Sequence, residues 1–342
     1  MKKTDSVKAF HLRFGSHQLV EPFKQFIEKV LAPKGINQLI IECNTSFVFE
    51  KHPEITEGTL TKQDAREIAD VCKRHGIRVI PLFQCLGHQG WGGAPNSLLK
   101  AYPEFDETPH IPLDAKWPDF FCRSWCPLHP EINALAFDLL GEIIDAFDAD
   151  AMHVGMDEVY ALADDQCPRC KGKERGELFA KAINDLHGYL VKERGVQMYM
   201  WADRLNDSEA TGYNRWEGDT FGTHKAISAI PTDIVLMDWH YDPLDSYPSI
   251  GIFLEKGFSV IPSCWYKTEA AVDFLKESKR QAVETSEPDR LLGMAVTSWN
   301  GWNQEAFEKF IHLTSSSFTR EEELGELDEL YRTLDVITKE LS

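Results

Sequence analysis

Eight short apolar runs, alternating along the chain with longer amphipathic stretches, constrain the fold more than any other feature. They span 9–14, 36–43, 77–85, 151–158, 197–205, 233–241, 258–266 and 291–300. Several are near-continuous in apolar residues, as in IRVIPLFQC and DIVLMDWHY, rather than alternating. Strands buried on both faces read this way, and they belong to parallel sheets covered by helices. Helical patterns fill most of the gaps, at about 21–30, 61–75, 130–147 and 176–195, and a last one runs over 320–341. The helix from Thr61 has an N-cap threonine, an apolar face and a glycine, Gly76, just past its end. The gap between the fifth and sixth runs, EATGYNRWEGDTFGTHKAISAI, reads mostly as loop with a short helix near its end.

Eight such units predict an α/β fold, a single (β/α)8 TIM barrel, and 342 residues suit one. No linker or break in composition interrupts the chain, so 1–342 is expected to be one domain. A doubly wound open sheet is the rival, but no glycine-rich phosphate turn follows a strand. The net charge of −19 argues against nucleic acid and anionic membranes as partners, since both need a basic footprint. No apolar stretch approaches the roughly 18 residues that a membrane span needs. The N-terminal MKKTDSVKAFHLRFG has lysines but no apolar middle region of a signal peptide, so a cytoplasmic location is expected.

In a barrel the chemistry belongs at the C-terminal ends of the strands. Those positions hold His88 after the third run, Asp157 and Glu158 after the fourth, and Trp201 with Asp203 after the fifth. Trp239 and Tyr241 follow the sixth, Trp265 and Tyr266 the seventh, and Trp299 the eighth. Flat aromatic walls with a few acids suit a sugar, whose apolar faces stack on rings and whose hydroxyls meet carboxylates. A lone tryptophan at such a place is more often packing, and Asp203 and Tyr266 also read as hydrogen-bond anchors. His153 reads as a structural histidine or as an orienter of the acids. Two adjacent acids closing an apolar strand are costly to desolvate and repel each other, so they point to function.

A retaining glycosidase normally sets an acid and a nucleophile on different strands, about 5 Å apart. Here the seventh run continues SCWYKTEA, with no acid before Glu269. The alternative is substrate assistance, in which the sugar's own 2-acetamido oxygen attacks the anomeric carbon. One acid then protonates the leaving oxygen and the other holds the acetamido N–H, while rings pin the group in line.

MHVGMDEVY resembles the His-x-Gly-Gly-Asp-Glu motif of glycoside hydrolase family 20, the β-N-acetylhexosaminidases. VIPLFQCLGH is similar to that family's strand-three segment and YMWADRLND to its Trp-Asp-Asp strand five. IIECNTSFVFE, CPLHPE and DEVYAL resemble segments of the hexosaminidase D branch, a bare catalytic barrel. The resemblance implies an exo-acting retaining enzyme for terminal β-GlcNAc or β-GalNAc. It makes Asp157 the acetamido-orienting carboxylate and Glu158 the general acid and base. It sets His88 near the acids and makes Trp201 and Trp299 pocket walls. The third wall is Trp216 or Trp239, and the pocket tyrosine is Tyr241 or Tyr266. The pattern departs in three strands and in the motif itself. Met156 stands at the second motif glycine, strand one offers only an offset Arg13, strand seven lacks Tyr-Leu-Asp, and Gly301 replaces the strand-eight glutamate. Two rivals are a glycosidase with a protein nucleophile, Asp203 or Glu269, and a non-catalytic amino-sugar-binding barrel.

No cofactor is expected for catalysis. Of the eight cysteines, Cys122 and Cys126 lie after the third run, and Cys167 and Cys170, spaced Cys-x-x-Cys, after the fourth. Adjacent loops of one barrel face could join all four in a structural zinc site. Free thiols in a reducing compartment are the simpler reading.

Overall fold

A computed structural model describes residues 6–314 and 325–342. Eight parallel strands close into a barrel: Val7–Arg13, Gln38–Glu42, Arg78–Cys85, Ala151–Gly155, Gln197–Trp201, Val235–Trp239, Ser259–Cys264 and Gly293–Ser298. Each pairs with its sequence neighbours, and the last pairs with the first through Val7 to Leu12 against Gly293 to Ser298. Closure excludes the open doubly wound sheet.

The period of two along each strand sorts its side chains. Ala9, Ile40, Ile80, Ala151, Tyr199, Val235 and Ala295 point inward and fill the barrel. Phe10, Leu12, Leu39, Ile41, Met152 and Val154 point outward and pack under the helices. Arg78 plugs the N-terminal mouth, with its Nε 2.6 Å from Asp150 Oδ1 and its Nη1 3.2 Å from Tyr199 Oη. The opposite mouth is left open.

The helices follow from local chemistry. Lys62–Arg74 starts in a capping box, where Thr61 Oγ1 accepts from the Asp64 N–H and Asp64 accepts from the Thr61 N–H. Gly76, at φ +69°, turns the chain back to the third strand. Ile132–Phe147 begins two residues after Pro130 and ends at Asp148, which is left-handed. Two sequence-predicted helices change pitch near their ends. Val20–Phe26 continues as a π-turn over Ile27–Leu31, and Arg175–His187 as another over Gly188–Glu193. Between the fifth and sixth strands lie short pieces: a 3-10 turn, Asp203–Leu205, the Ser208–Thr211 helix and a 3-10 stretch, Thr223–Ser228. The last helix is Glu326–Glu340, and the part expected at 320–324 lies outside the described residues.

The fourth strand stops at Gly155 rather than at residue 158. Gly155 closes the strand at φ +68°, and Met156 and Glu158 beyond it, at +77° and +51°, cannot continue it. A register shift between the third and fourth strands sits just before this point. Bulges of this kind re-aim side chains at barrel rims.

Candidate active site

The open mouth holds a cavity of about 640 Å³. Its carboxylates are Asp157, Glu158 and Glu42, its polar groups include Asn44, Gln84, His88 and Arg13, and its rings include Trp91, Trp239, Tyr241, Trp265 and Trp299.

The acid pair is built by its backbone. Gly155 must be glycine, because a Cβ there would fall 1.9 Å from Gln84 Oε1 and 3.0 Å from Gln84 Cα. Met156 occupies the left-handed conformation that explains a glycine at this place in the motif, and its side chain is fully buried. Glu158 is left-handed as well, and across the third-strand loop so are Leu86 and His88, at +65° and +56°. Such residues cost about 1–3 kcal/mol each and persist only where the surroundings enforce them. Their clustering aims both carboxyl groups at one imidazole: His88 Nε2 lies 3.2 Å from Asp157 Oδ2 and 3.4 Å from Glu158 Oε2.

The charges follow from this geometry. Burial would lower the His88 pKa, but the Asp157 charge and the close approach of both carboxylates hold it well above the usual histidine value. Burial would raise Asp157, but His88 outweighs it and keeps that carboxyl below the usual range. His88 and Asp157 therefore form an ion pair at neutral pH. His153 lies beneath them and is neutral, because burial pushes it down to about 3 and its Nδ1 accepts from the Gly155 N–H at 3.0 Å.

Asp203 does not line the cavity. It is buried behind Glu158, where its Oδ2 accepts from the Glu158 N–H at 2.9 Å and from Arg204 Nε at 2.7 Å. It positions the acid through the backbone. Trp201 is also absent from the lining: it is buried under Trp299, with ring centroids 5.9 Å apart, and packs on His11 and His153. His88, Trp239, Tyr241 and Trp299 all face the cavity. Of the paired alternatives, Trp239 and Tyr241 line it. Trp216 packs in a neighbouring cluster with Trp117, Phe121 and Tyr160, and Tyr266 lies outside the lining. Trp299 is fixed from both ends, since its Nε1 donates to Tyr241 Oη at 2.8 Å and its carbonyl accepts from Arg13 Nη2 at 2.6 Å. Trp239 stacks on Tyr241 at 5.1 Å.

The lining groups that escaped the sequence reading include Glu42, Asn44 and Gln84. Glu42 ends the second strand, with its Oε2 3.2 Å from His11 Nε2 and its Oε1 accepting from Asn44 Nδ2 at 2.7 Å. An acid at a strand end was the available signal, hidden inside IIECN. Neither Asp203 nor Glu269, the two candidate nucleophiles, lines the cavity.

A closed parallel barrel with a largely buried acid pair at its C-terminal mouth belongs to the broad class of barrel enzymes that work at that rim. Residues 34–327 match the model of glycosyl hydrolase family 20, catalytic domain, and the chain belongs to that family. A β-hexosaminidase of Akkermansia muciniphila is 30% identical over 116 residues, which is 34% of this chain and 22% of that protein. The chain thus aligns with about a fifth of this curated relative. The chitobiase structure from Flavobacterium johnsoniae superposes with a TM-score of 0.68 at 17% identity, covering 98% of this chain and 52% of that one. An exo β-N-acetylglucosaminidase from Vibrio harveyi, solved with N-acetylglucosamine, gives 0.61 at 15% identity, covering 98% and 58%.

Proposed function

We propose that the protein is an exo-acting, retaining β-N-acetylhexosaminidase that cleaves terminal β-GlcNAc or β-GalNAc by substrate assistance. One observation carries the proposal: two adjacent carboxylates share one imidazole and face a single aromatic-walled cavity. Asp157, kept anionic by His88, accepts the acetamido N–H and opposes the positive charge that builds on the ring. The acetamido oxygen attacks the anomeric carbon as Glu158 gives its proton to the departing oxygen. Glu158 then takes a proton from the water that opens the cyclic intermediate, so the configuration is retained. Trp239, Tyr241 and Trp299 wall the acetamido group.

A protein nucleophile would have to be Glu42, the remaining lining carboxylate, whose two oxygens are already engaged by His11 and Asn44. Glu158→Gln tests the proposal. It should lose about 10²–10⁴ in rate on aryl glycosides with poor leaving groups, and far less on activated ones. A thiazoline mimic of the cyclic intermediate should inhibit the wild type. Wild-type rates in the variant, or a fluorosugar ester trapped on Glu42, would overturn the proposal.

A further inference from the structure

Behind the rim, in the loops after the third and fourth strands, Glu107, Cys126, Cys167 and Cys170 converge. All four are buried, and one ligand atom from each lies within 4.8 Å of every other. We propose that this cluster is a structural site for one divalent metal ion of the zinc type, held by three thiolates and one carboxylate.

The separations favour a metal over a disulfide. Cys126 Sγ is 3.4 Å from Cys170 Sγ and 3.6 Å from Cys167 Sγ. A disulfide would need about 2.05 Å. Tetrahedral zinc, with Zn–S bonds of about 2.3 Å, spaces its sulfurs about 3.8 Å apart. A disulfide between any two of these cysteines would also leave the third thiol and the carboxylate stranded. Glu107 is the independent pointer to a ligand. It is fully buried, its Oε1 accepts from the Asp164 N–H at 3.1 Å, and its Oε2 has no hydrogen-bond partner among the described residues. A buried carboxylate oxygen aimed among three sulfurs is costly without a cation. Soft thiolates in a four-fold cluster select zinc over harder, oxygen-loving ions.

The backbone has already set the ligands in place. The Cys170 N–H points at Cys167 Sγ over 3.4 Å, a donor that favours thiolate there. The Cys126 N–H donates to the Phe105 carbonyl and the Glu107 N–H to the Ser124 carbonyl, so the two ligands of the first loop are held side by side. The four-thiolate set suggested by the two cysteine pairs is corrected in one member. Cys122 points the other way, with its Sγ 4.0 Å from the Glu158 carbonyl oxygen, and Glu107 takes the fourth place. Spacing alone hid this, because Glu107 lies 19 residues before Cys126 and is brought beside it by the Asp106–Trp125 bridge, which the sequence does not announce. The ion would clamp the loop that carries Trp91 and Phe121 to the loop that begins with Met156 and carries Glu158.

The test measures metal in the full chain. Protein produced with zinc and dialysed against metal-free buffer should carry one zinc per chain. Cobalt replacement should give the intense visible bands of a tetrahedral thiolate site, and chelation should lower the melting temperature until zinc is restored. Cys167→Ser and Glu107→Gln should lose the stoichiometric metal. Cys72→Ala, in the remote Lys62–Arg74 helix, should keep it. A wild type that takes up no stoichiometric metal, variants that bind as well as the wild type, or a native disulfide among these cysteines would overturn the proposal. The wild-type cobalt spectrum and thiol count decide even if both variants fail to fold.

Discussion

At the ends of the third and fourth strands, Leu86, His88, Met156 and Glu158 are all left-handed, and the side chains they aim are charged and mutually paired. Across the cavity, at the ends of the sixth, seventh and eighth strands, the wall is Trp239, Tyr241, Trp265 and Trp299, with no carboxylate. One side stores strain to fix charges within a hydrogen-bond length. The other presents flat apolar area tied by two hydrogen bonds on Trp299. Ion-pair geometry tolerates little displacement, whereas stacking tolerates some sliding, so the cost of precision falls on the charged side. Substitutions there should change kcat, and those on the ring side should change KM.

The largest effect is expected at Asp157. Asp157→Asn removes the charge that opposes the developing cation, and kcat on N-acetylated aryl glycosides should fall about 10²–10³-fold with little change in KM. A rise in KM with kcat intact would break the contrast between the two sides, because Asp157 would then be a binding group only.

The ion pair sets a pH window. Asp157 has its pKa lowered, so its contribution to stability is full above the usual 3.8 and is lost as pH falls through the lowered value. His88 has its pKa raised, so its contribution is full below the usual 6.5 and is lost as pH rises through the raised value. Between those limits the pair holds the site in its working charge state. In His88→Gln the carboxyl of Asp157 loses its cation, so the acid limb of kcat/KM should move to higher pH, with at least about a tenfold loss at mildly acidic pH. An unmoved acid limb would separate His88 from the acids electrically and remove the argument for a shared imidazole.

On the ring side, Tyr241→Phe removes the acceptor of the half-buried Trp299 Nε1, and losing such a bond costs about 0.5–1.5 kcal/mol. The expected result is roughly a tenfold loss in kcat/KM carried mainly by KM. An equal loss in kcat alone would show that Tyr241 acts on the reacting centre, which blurs the division.

The same division explains what could be read from the chain. All eight strands follow from their apolar runs, because burial on both faces leaves a signal that needs no partner to interpret. The acid pair stood out for the same reason: two carboxylates closing an apolar run violate the pattern around them. Asp203 and Trp201 were harder to place. Both follow a strand end and are chemically suited to a ligand, yet a one-layer difference in depth turns one into a backbone acceptor and the other into packing. Depth along a barrel axis is set by register between strands, which the sequence of one strand does not contain. Glu42 and Glu107 were missed for a related reason, since each acquires its meaning from groups 31 or more residues away or from an irregular loop.

The smallest effect concerns Gly301, where the family pattern places a glutamate. Gly301 lines the cavity, and a Cβ added there meets nothing within 4 Å among the described residues, so a side chain can be accommodated. Gly301→Glu would put a carboxylate on the side that has none, where it can accept from sugar hydroxyls. A hydrogen bond of about 0.5–1.5 kcal/mol should lower KM about threefold to tenfold for whichever of the GlcNAc and GalNAc glycosides presents its hydroxyl correctly, with kcat unchanged. That outcome would mean the apolar side recognises sugar by stacking because it lacks a carboxylate, rather than because a carboxylate is excluded. A rise in KM for both sugars would mean that the space beside Gly301 is filled by substrate. The glycine would then be a specificity feature of this chain, and the ring side would be as tightly shaped as the charged one.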